Sequence, residues 1–261
     1  MPADLDVLRD RLRELDRVAV AFSGGADSAF LAWVAHDTLG ADRVLAVTAV
    51  SPSLAADEAA DCAALAQEWG LRWSGVRTAE LDRPEYVANG TDRCFHCKAE
   101  LMDVVGPLAA AEGATVVLGV NVDDLGDHRP GQQAAGERGA VFPLVDAGFT
   151  KAEVRQASRR LGLRTWDKPA AACLASRVPY GTPVTLRTLD GVGRAEAALH
   201  RLGFRQVRVR HHGEVARLEF ELDDLPAALA RRQDVVDAVK AAGYRWVAVD
   251  LEGFRSGNLN P

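Results

Sequence analysis

Long hydrophobic runs are missing from this 261-residue sequence. No stretch approaches the ~18 consecutive apolar residues of a membrane-spanning helix. Residues 1–16 mix Asp, Arg and Leu and contain no apolar core of the kind that a secretory signal needs. We therefore expect no membrane partner and a cytoplasmic location.

A basic excess is missing as well. Lys and Arg number 31 against 37 Asp and Glu, which gives a formal net charge of −6 at pH 7. Extensive contact with nucleic acid phosphates usually needs a basic surface, so we expect no nucleic acid partner. Apolar residues make up 48% of the chain and charged residues 26%, which is ordinary for a globular protein and argues against disorder.

Cysteine is scarce, and only two of the four cysteines are close in sequence. Cys94 and Cys97 form a C-x-x-C pair, which in a cytosolic chain indicates metal or redox chemistry more often than a disulfide. Cys62 lies among alanines and a leucine of a predicted helix and is interpreted as a small core residue. Cys173 lies in an irregular segment.

The first two thirds of the chain alternate predicted strands and helices. Thr150 and Glu153 have the spacing of a capping box, which predicts that the last helix of this part of the chain begins at Thr150. The predicted strands are 17–22, 43–50, 72–78 and 115–120, and the predicted helices are 4–15, 29–39, 55–69, 95–112 and 150–162. This alternation predicts a parallel sheet with helices on both faces.

The irregular segment 168–183 ends this alternation, and long irregular segments inside compact proteins are usually functional loops. Beyond it the predicted elements are helix 186–202, strands 205–211 and 214–219, helix 225–242 and strand 244–250. The sequence therefore predicts an α/β protein, with a parallel-sheet domain at 1–180 and a smaller α+β domain at 181–261.

A hydroxyl-rich glycine loop, S-G-G-A-D-S, lies between the first predicted strand and the next helix. Gly24 and Gly25 allow backbone N–H groups to surround an anion, and the helix N-terminus favours negative charge there. Ser23 and Ser28 add hydroxyl donors, and Asp27 can hold Mg²⁺. The alternative is a glycine turn needed only for tight strand–helix packing. The Walker and Rossmann glycine patterns are absent.

This loop resembles the pyrophosphatase loop of ATP-adenylating enzymes such as NAD synthetase and GMP synthetase. These enzymes bind the pyrophosphate end of ATP, activate a carboxyl or carbonyl oxygen as an adenylate and release pyrophosphate. The resemblance implies ATP and Mg²⁺ as cofactors. It makes 1–180 the ATP-binding domain and leaves 181–261 for substrate contacts and homo-oligomer formation.

Further segments are similar to the LarE family of ATP-dependent sulfur transferases, namely D-R-C-F-H-C-K at 92–98, G-V-N-V-D-D at 119–124, D-H-R-P-G at 127–131, K-P-A-A-A-C-L-A-S-R-V-P-Y-G at 168–181 and the ending at 252–258. The resemblance implies adenylation of the carboxylates of pyridinium-3,5-biscarboxylic acid mononucleotide. Sulfur then displaces AMP to leave thiocarboxylates, in synthesis of the nickel-pincer nucleotide of lactate racemase.

Several residues are candidates for contact with ATP. Gly119 and Asn121 lie at the end of the fourth predicted strand, where open parallel sheets bind ligands. Asp123 and Asp124 follow and could orient ribose or a second Mg²⁺. An Asx-type turn is the alternative for the two aspartates. Phosphoryl transfer also needs positive charge, and the candidates to supply it are Lys98, Arg129 and Lys168. The alternative for these three is a solvated surface charge.

The family resemblance bears on the source of sulfur. One version of the family sacrifices a cysteine sulfur, and the other holds a [4Fe-4S] cluster on three cysteines. The chain matches the three-cysteine version, with Cys94, Cys97 and Cys173 as ligands and sulfide or another sulfur donor as a partner. A sacrificial Cys173 and a zinc site completed by His96 or Cys62 remain open.

The substrate also carries a phosphate. Ser176 and Arg177 follow Cys173 closely, and Arg208 and Arg210 alternate onto one face of a predicted strand. Guanidinium groups suit phosphate, although a solvated strand face is the alternative. Glu196, on the helix after this segment, could face the site, but we interpret it as an exposed helix residue. The rival functions are a tRNA thiolase, another adenylating amidotransferase or a non-catalytic adenine-nucleotide sensor.

Overall fold

The chain forms two compact units, and the computed structural model describes residues 4–126, 130–169 and 172–255. One unit lies within Met1–Ser51, Glu58–Glu80 and Asp92–Ala171, and the other within Pro52–Asp57, Leu81–Thr91 and Ala172–Pro261. The predicted α/β class with a second, smaller α+β unit is confirmed. None of the helices in the described ranges has the length and apolar character needed to cross a membrane.

The first unit contains a parallel sheet whose strand order is β3-β2-β1-β4. Its strands are β1 (Val18–Ala21), β2 (Val44–Val50), β3 (Arg72–Arg77) and β4 (Thr115–Leu118). In the register of β1 with β4, Ala21 lies opposite Leu118. The segments that follow these two strands therefore leave the sheet side by side.

Helices cover both faces of this sheet. Strand β1 shows it directly, because Val18 and Val20 pack into one hydrophobic core and Ala19 into another. The α-helices that precede Ala171 in the described chain are α1 (Leu5–Leu15), α2 (Ala26–Leu39), α3 (Ala56–Trp69), α4 (Pro84–Val87), α5 (Arg93–Ala111), α6 (Pro130–Gly136), α7 (Pro143–Asp146) and α8 (Lys151–Arg160). Of these, α4 belongs to the second unit. The two-faced packing agrees with the alternation in the sequence.

Helix α2 begins three residues before the predicted start. Gly25 precedes it in an extended conformation, so Asp27 and Ser28 lie in the first helical turn. Helix α8 has the predicted capping box, because Thr150 Oγ1 accepts from the Glu153 N–H and Glu153 Oε2 accepts from the Thr150 N–H at 2.8 Å. Local capping therefore sets the start of α8 as predicted.

The second unit contains a three-stranded sheet of order β5-β6-β7. Strands β5 (Val207–His212) and β6 (Val215–Phe220) are antiparallel, and β7 (Trp246–Val249) runs parallel to β6. The helices are α9 (Leu186–Arg201), α10 (Leu225–Ala230) and α11 (Arg232–Ala241). The prediction of one helix over 225–242 is wrong, because Arg231 has φ −102° and ψ 26° and separates α10 from α11.

The segment that carries Cys173 belongs to the second unit, although the sequence analysis placed it in the first domain. Backbone hydrogen bonds explain the difference. The Leu174 N–H donates to the Ser53 carbonyl at 2.8 Å, and the Gly181 N–H donates to the Asn89 carbonyl at 3.0 Å. Short segments from the first half of the chain therefore complete the second unit, and the unit begins at Ala172 rather than 181.

Candidate functional site

The glycine loop closes on itself through the Ser28 hydroxyl. Ser28 Oγ accepts from the Ser23 N–H at 3.2 Å, lies 3.0 Å from Ser23 Oγ, and donates to the Gly25 carbonyl at 3.2 Å. Gly24 adopts a left-handed conformation with φ +68°. These bonds bring the end of β1 and the start of α2 together around a short concave turn.

The glycines of the site have different environments. A Cβ on Gly24 would lie 2.9 Å from Cys62 Sγ, and one on Gly119 would lie 2.8 Å from the Ser28 backbone nitrogen. Both positions are therefore too close to neighbouring atoms for a side chain. A Cβ on Gly25 would meet only Ser23 Oγ at 3.6 Å. The space beside Gly25 is therefore open, unlike the space beside Gly24 and Gly119.

The side chains of Asp27 and Asn121 lie next to each other. Asp27 Oδ1 and Asn121 Nδ2 are both buried and lack a well-formed hydrogen bond in the described structure, although the Asn121 side chain favours the charged form of Asp27. Burial raises the pKa of Asp27, while the positive charge of Lys151 works against that rise. Mg²⁺ is usually held by one or two carboxylates together with substrate phosphates, so the Asp27 carboxylate fits this ion.

The two aspartates after β4 are used in local hydrogen bonds. Asn121 Oδ1 accepts from the Asp124 N–H at 3.3 Å, and Asp124 Oδ2 accepts from the Asn121 N–H at 3.2 Å. Asp123 Oδ2 accepts from the Lys151 N–H, at 2.8 Å, at the start of α8. The reciprocal hydrogen bonds of Asn121 and Asp124 form an Asx-type turn, as the alternative interpretation of this segment predicted. Its effect is to hold Asn121 beside the loop.

Lys168 is held behind the loop by two carboxylates. Its Nζ donates to Glu58 Oε2 and to Asp61 Oδ2, both at 2.7 Å, and lies 3.7 Å from the point that a Cβ on Gly24 would occupy. Burial opposes its ionisation, but the hydrogen bonds to Asp61 and Glu58 outweigh that and raise the pKa of Lys168. Lys168 thus remains charged, and its ammonium group lies next to Gly24.

The other predicted cations are placed differently. The aliphatic part of the Lys98 side chain packs closely against Gly131 of α6. A Cβ added at Gly131 would lie only 2.8 Å from Lys98 Cγ. Arg129 lies outside the described residues. Sequence reasoning missed Lys151 and Arg155, whose charges lower the pKa of Asp27. The only signal for these two was their position on the helix that the capping box begins.

The cysteines fall into a buried one and three accessible ones. Cys62 is buried, as predicted, and burial raises the pKa of its thiol. Cys94 is exposed and Cys97 is half-buried, three residues apart in the first turns of α5. Cys173 is exposed in the second unit. Within the described ranges no group of three His, Cys, Asp or Glu side chains is placed to hold a metal ion.

Arg177 is fixed by a bidentate ion pair in the second unit. Its Nε donates to Glu196 Oε1 at 2.8 Å and its Nη2 to Glu196 Oε2 at 2.9 Å. Its Nη1 donates to the Ala172 carbonyl at 2.7 Å and to Ser176 Oγ at 3.0 Å. The interpretation of Glu196 as an exposed helix residue is wrong, because Glu196 is 6% exposed and also accepts from the Val209 N–H.

Arg208 and Arg210 are buried, at 6% and 1% exposure, so the solvated strand face considered for them is wrong. Arg210 Nη2 donates to Glu219 Oε2 at 2.8 Å and its Nη1 to the Ser176 carbonyl at 2.9 Å. Arg208 and Arg210 lie two residues apart in β5 and therefore share one face of the strand, as the alternation predicted. The sequence did not show that other elements cover it.

The arginine cluster, defined as Arg177, Arg208 and Arg210, contains more positive charge than its carboxylates balance. Arg177 pairs with Glu196 and Arg210 with Glu219, whereas no described carboxylate pairs with Arg208. Burial, followed by repulsion from Arg177 and Arg210, lowers the pKa of Arg208 to about 10. A buried cationic excess of this kind is suited to an anion with several acceptor oxygens, such as phosphate.

Comparison with known proteins gives matches along the whole chain. The sequence profile of the NAD synthase family matches residues 3–89. An uncharacterized protein of Synechocystis sp. is 47% identical over 266 residues, covering 100% of this chain and 98% of that protein. The pyridinium-3,5-bisthiocarboxylic acid mononucleotide synthase of Lactiplantibacillus plantarum is 38% identical over 250 residues, covering 95% of this chain and 91% of the synthase.

Proposed function

Because the chain belongs to the LarE family of ATP-dependent sulfur transferases, we propose that it converts pyridinium-3,5-biscarboxylic acid mononucleotide to the bisthiocarboxylic acid mononucleotide. The observation that carries this proposal is the 38% identity with the Lactiplantibacillus plantarum synthase over 95% of the chain. The glycine loop and the arginine cluster are the two anion sites that we propose for ATP and for the nucleotide substrate.

The glycine loop is proposed to bind the pyrophosphate end of ATP. Support comes from the open approach to Gly25, the helix N-terminus at Ala26 and the two hydroxyls of Ser23 and Ser28. Asp27 would hold Mg²⁺, which when bound neutralises charge on the phosphates. The buried Asn121 Nδ2, which lacks a well-formed hydrogen bond in the described structure, would donate to a ligand oxygen beside Asp27.

The proposed reaction has two steps for each carboxylate. A carboxylate oxygen attacks the α-phosphorus of ATP, and the bond to pyrophosphate breaks. Sulfide then attacks the carbonyl carbon, AMP leaves with the bonding electrons, and a thiocarboxylate remains. The first step makes a poor electrophile reactive, since AMP is a far better leaving group than oxide. Fixed positive charge and positioning supply most of the catalysis in such transfers.

The substrate phosphate is proposed to bind the arginine cluster. Arg208 supports this role best, because its charge is buried and no described carboxylate forms an ion pair with it. Arg210 and Arg177 are oriented by Glu219 and Glu196, so their remaining N–H groups have defined directions. Ser176 adds a hydroxyl beside Arg177. An anion with several oxygens can accept from more than one of these groups.

We propose that Cys94, Cys97 and Cys173 would hold a [4Fe-4S] cluster, which when bound would supply the sulfur for the second step. This proposal rests on the sequence resemblance and on the exposure of Cys94 and Cys173 and the partial exposure of Cys97, in contrast to buried Cys62. A sacrificial Cys173 is the competing proposal.

The function is tested by incubating the purified protein with ATP, Mg²⁺, sulfide and the dicarboxylate nucleotide. We expect pyrophosphate and AMP to form only with the nucleotide present, and mass spectrometry to show oxygen-to-sulfur exchange in it. Asp27→Ala serves as the control that cannot adenylate. Pyrophosphate release with tRNA instead of the nucleotide would favour a thiolase. ATP binding without pyrophosphate release under any of these conditions would favour a nucleotide sensor.

A further inference from the structure

The C-terminal segment, defined as Asp250–Phe254, returns to strand β6 after β7 ends. The Asp250 N–H donates to the Leu218 carbonyl at 2.9 Å, and the Phe254 N–H donates to the Phe220 carbonyl at 2.7 Å. Gly253 is buried with φ +72°, and a Cβ there would lie 2.9 Å from the Phe220 carbonyl oxygen. The segment is therefore held in one conformation that requires glycine at 253.

This conformation places the Phe254 ring against Arg208. The Arg208 Cζ lies 4.5 Å from the ring centroid, which is within the range of a cation–π contact. Arg208 is 6% exposed and has no carboxylate partner among the described residues. Glu196 and Glu219 act on this charge only at longer range, while the ring face of Phe254 contacts the guanidinium directly.

The same segment is also connected to Arg210, through Arg217 and Glu219. Asp250 Oδ2 lies 3.5 Å from Arg217 Nε, and Arg217 Nη2 donates to Glu219 Oε1 at 3.0 Å. The other oxygen of Glu219 accepts from Arg210. Two independent contacts, an aromatic stack and a chain of ion pairs, therefore connect the C-terminal segment to the arginine cluster.

We propose that Phe254 is a positioning residue for the phosphate monoester of the nucleotide substrate. The ring covers one face of the Arg208 guanidinium and leaves its in-plane N–H groups free to donate to phosphate oxygens. A carboxylate in the place of the ring would occupy those donors and compete with the phosphate. The ring therefore stabilises the buried charge without using its donors. This inference rests on the proposed function of the arginine cluster.

Replacement of Phe254 by leucine tests the proposal. We expect Phe254→Leu to raise the KM for the nucleotide by about 5- to 30-fold, which corresponds to loss of a desolvated cation–π contact of ~1–2 kcal/mol. The KM for ATP and the kcat should stay near the wild-type values. Phe254→Tyr keeps the aromatic face and should restore the wild-type KM. A normal KM in Phe254→Leu, or an equally raised KM in Phe254→Tyr, would overturn the proposal.

Trp246→Leu is the matched control. It removes another arginine–aromatic contact of the second unit, where the Arg245 Cζ lies 5.3 Å from the exposed Trp246 ring, but Trp246 does not contact the arginine cluster. We expect this variant to leave the KM for the nucleotide unchanged. Thermal unfolding of both variants shows whether either one loses the fold.

Inorganic phosphate separates this inference from the proposed function. Titration calorimetry should show weaker phosphate binding in Phe254→Leu than in the wild type, with normal binding in Trp246→Leu. Arg208→Gln should weaken phosphate binding as well. If Arg208→Gln weakens it and Phe254→Leu does not, only the role of Phe254 is wrong. If neither variant changes phosphate binding or the KM, the cluster is not the phosphate site and both proposals fail.

Discussion

At the scale of single residues, Asp27 lies in an environment that does not suit an ionised carboxylate. Burial raises its pKa, and Oδ1 lacks a well-formed hydrogen bond in the described structure. A buried charge without partners lowers the stability of a fold. A divalent cation would relieve that cost, since carboxylate oxygens are preferred ligands of Mg²⁺. Asp27 thus combines a stability cost with a proposed binding role.

Asp27→Asn should therefore make the Mg²⁺-free protein more stable and abolish pyrophosphate release. The folded-state pKa of Asp27 lies above its ordinary value of 3.8, so the folded state binds the extra proton. The wild type then loses stability as the pH rises from 3.8 through the folded pKa, and the asparagine variant does not lose this contribution. Urea denaturation between about pH 4 and about pH 7 measures the difference.

Addition of Mg²⁺ and ATP is the control for this prediction. They should stabilise the wild type and have little effect on Asp27→Asn, because a ligand that binds only the folded state adds stability by mass action. An asparagine variant that is less stable than the wild type at neutral pH without Mg²⁺ would contradict the account of Asp27.

At the scale of elements, the end of β4 approaches the first turn of α2 very closely. A Cβ on Gly119 would lie 2.8 Å from the Ser28 nitrogen and 2.9 Å from the Asp27 carbonyl carbon. Both neighbours are backbone atoms, so they cannot move aside as a flexible side chain can. The close approach places Asn121, two residues later, beside the loop. The position of the loop therefore depends on the absence of a side chain at 119.

Gly119→Ala should lower the free energy of unfolding by about 1–3 kcal/mol and reduce AMP formation, because α2 must shift away from β4. Gly106→Ala is a suitable control. Gly106 lies inside α5 with no neighbouring atom within 4 Å of an added Cβ. Its replacement should be neutral or stabilise the helix by up to about 1 kcal/mol. Denaturant melts and an AMP assay measure both effects, and a fully active, stable Gly119→Ala would disprove the packing argument.

At the scale of the whole molecule, the accessible thiols are divided between the two units. Cys94 and Cys97 lie on α5 of the first unit, and Cys173 lies in the second. The glycine loop belongs to the first unit and the arginine cluster to the second. Because adenylation is proposed for the glycine loop and sulfur transfer for the three thiols, we predict that the two steps respond separately to substitutions of the cysteines.

Single replacements of Cys94, Cys97 and Cys173 by alanine should each abolish sulfur transfer while pyrophosphate release is largely retained. Thiolates are the ordinary ligands of iron–sulfur clusters, so loss of one should remove the proposed cluster. Anaerobically purified wild type should be brown and contain iron and sulfide. Pyrophosphate release in each variant controls for folding of the ATP site.

Sulfur transfer by Cys94→Ala and Cys97→Ala would contradict the cluster proposal. If only Cys173 is needed and that residue becomes about 34 Da lighter after turnover, its own sulfur is the one transferred. A colourless protein that contains zinc would contradict both proposals for the source of sulfur.

Much of the fold follows from patterns that are local in sequence. The alternation of strands and helices predicts the parallel sheet, and the Thr150–Glu153 spacing predicts the start of α8, because both depend on neighbouring residues. The prediction fails where local pattern is ambiguous. The run 225–242 has continuous helical spacing, yet Arg231 leaves the helical conformation and its Nη1 donates to the Leu202 carbonyl.

The sequence by itself determined the glycine loop, its place between a strand and a helix, and the alternation of Arg208 and Arg210, since each depends on residues a few positions apart. Only the tertiary structure decided that Arg208 is buried against Phe254, that Glu196 pairs with Arg177, and that Lys168 lies behind Gly24. These facts depend on which distant segments cover a side chain. Burial and pairing then set the charge state and free donors of that side chain, so the chemistry of the site is a property of the packed fold.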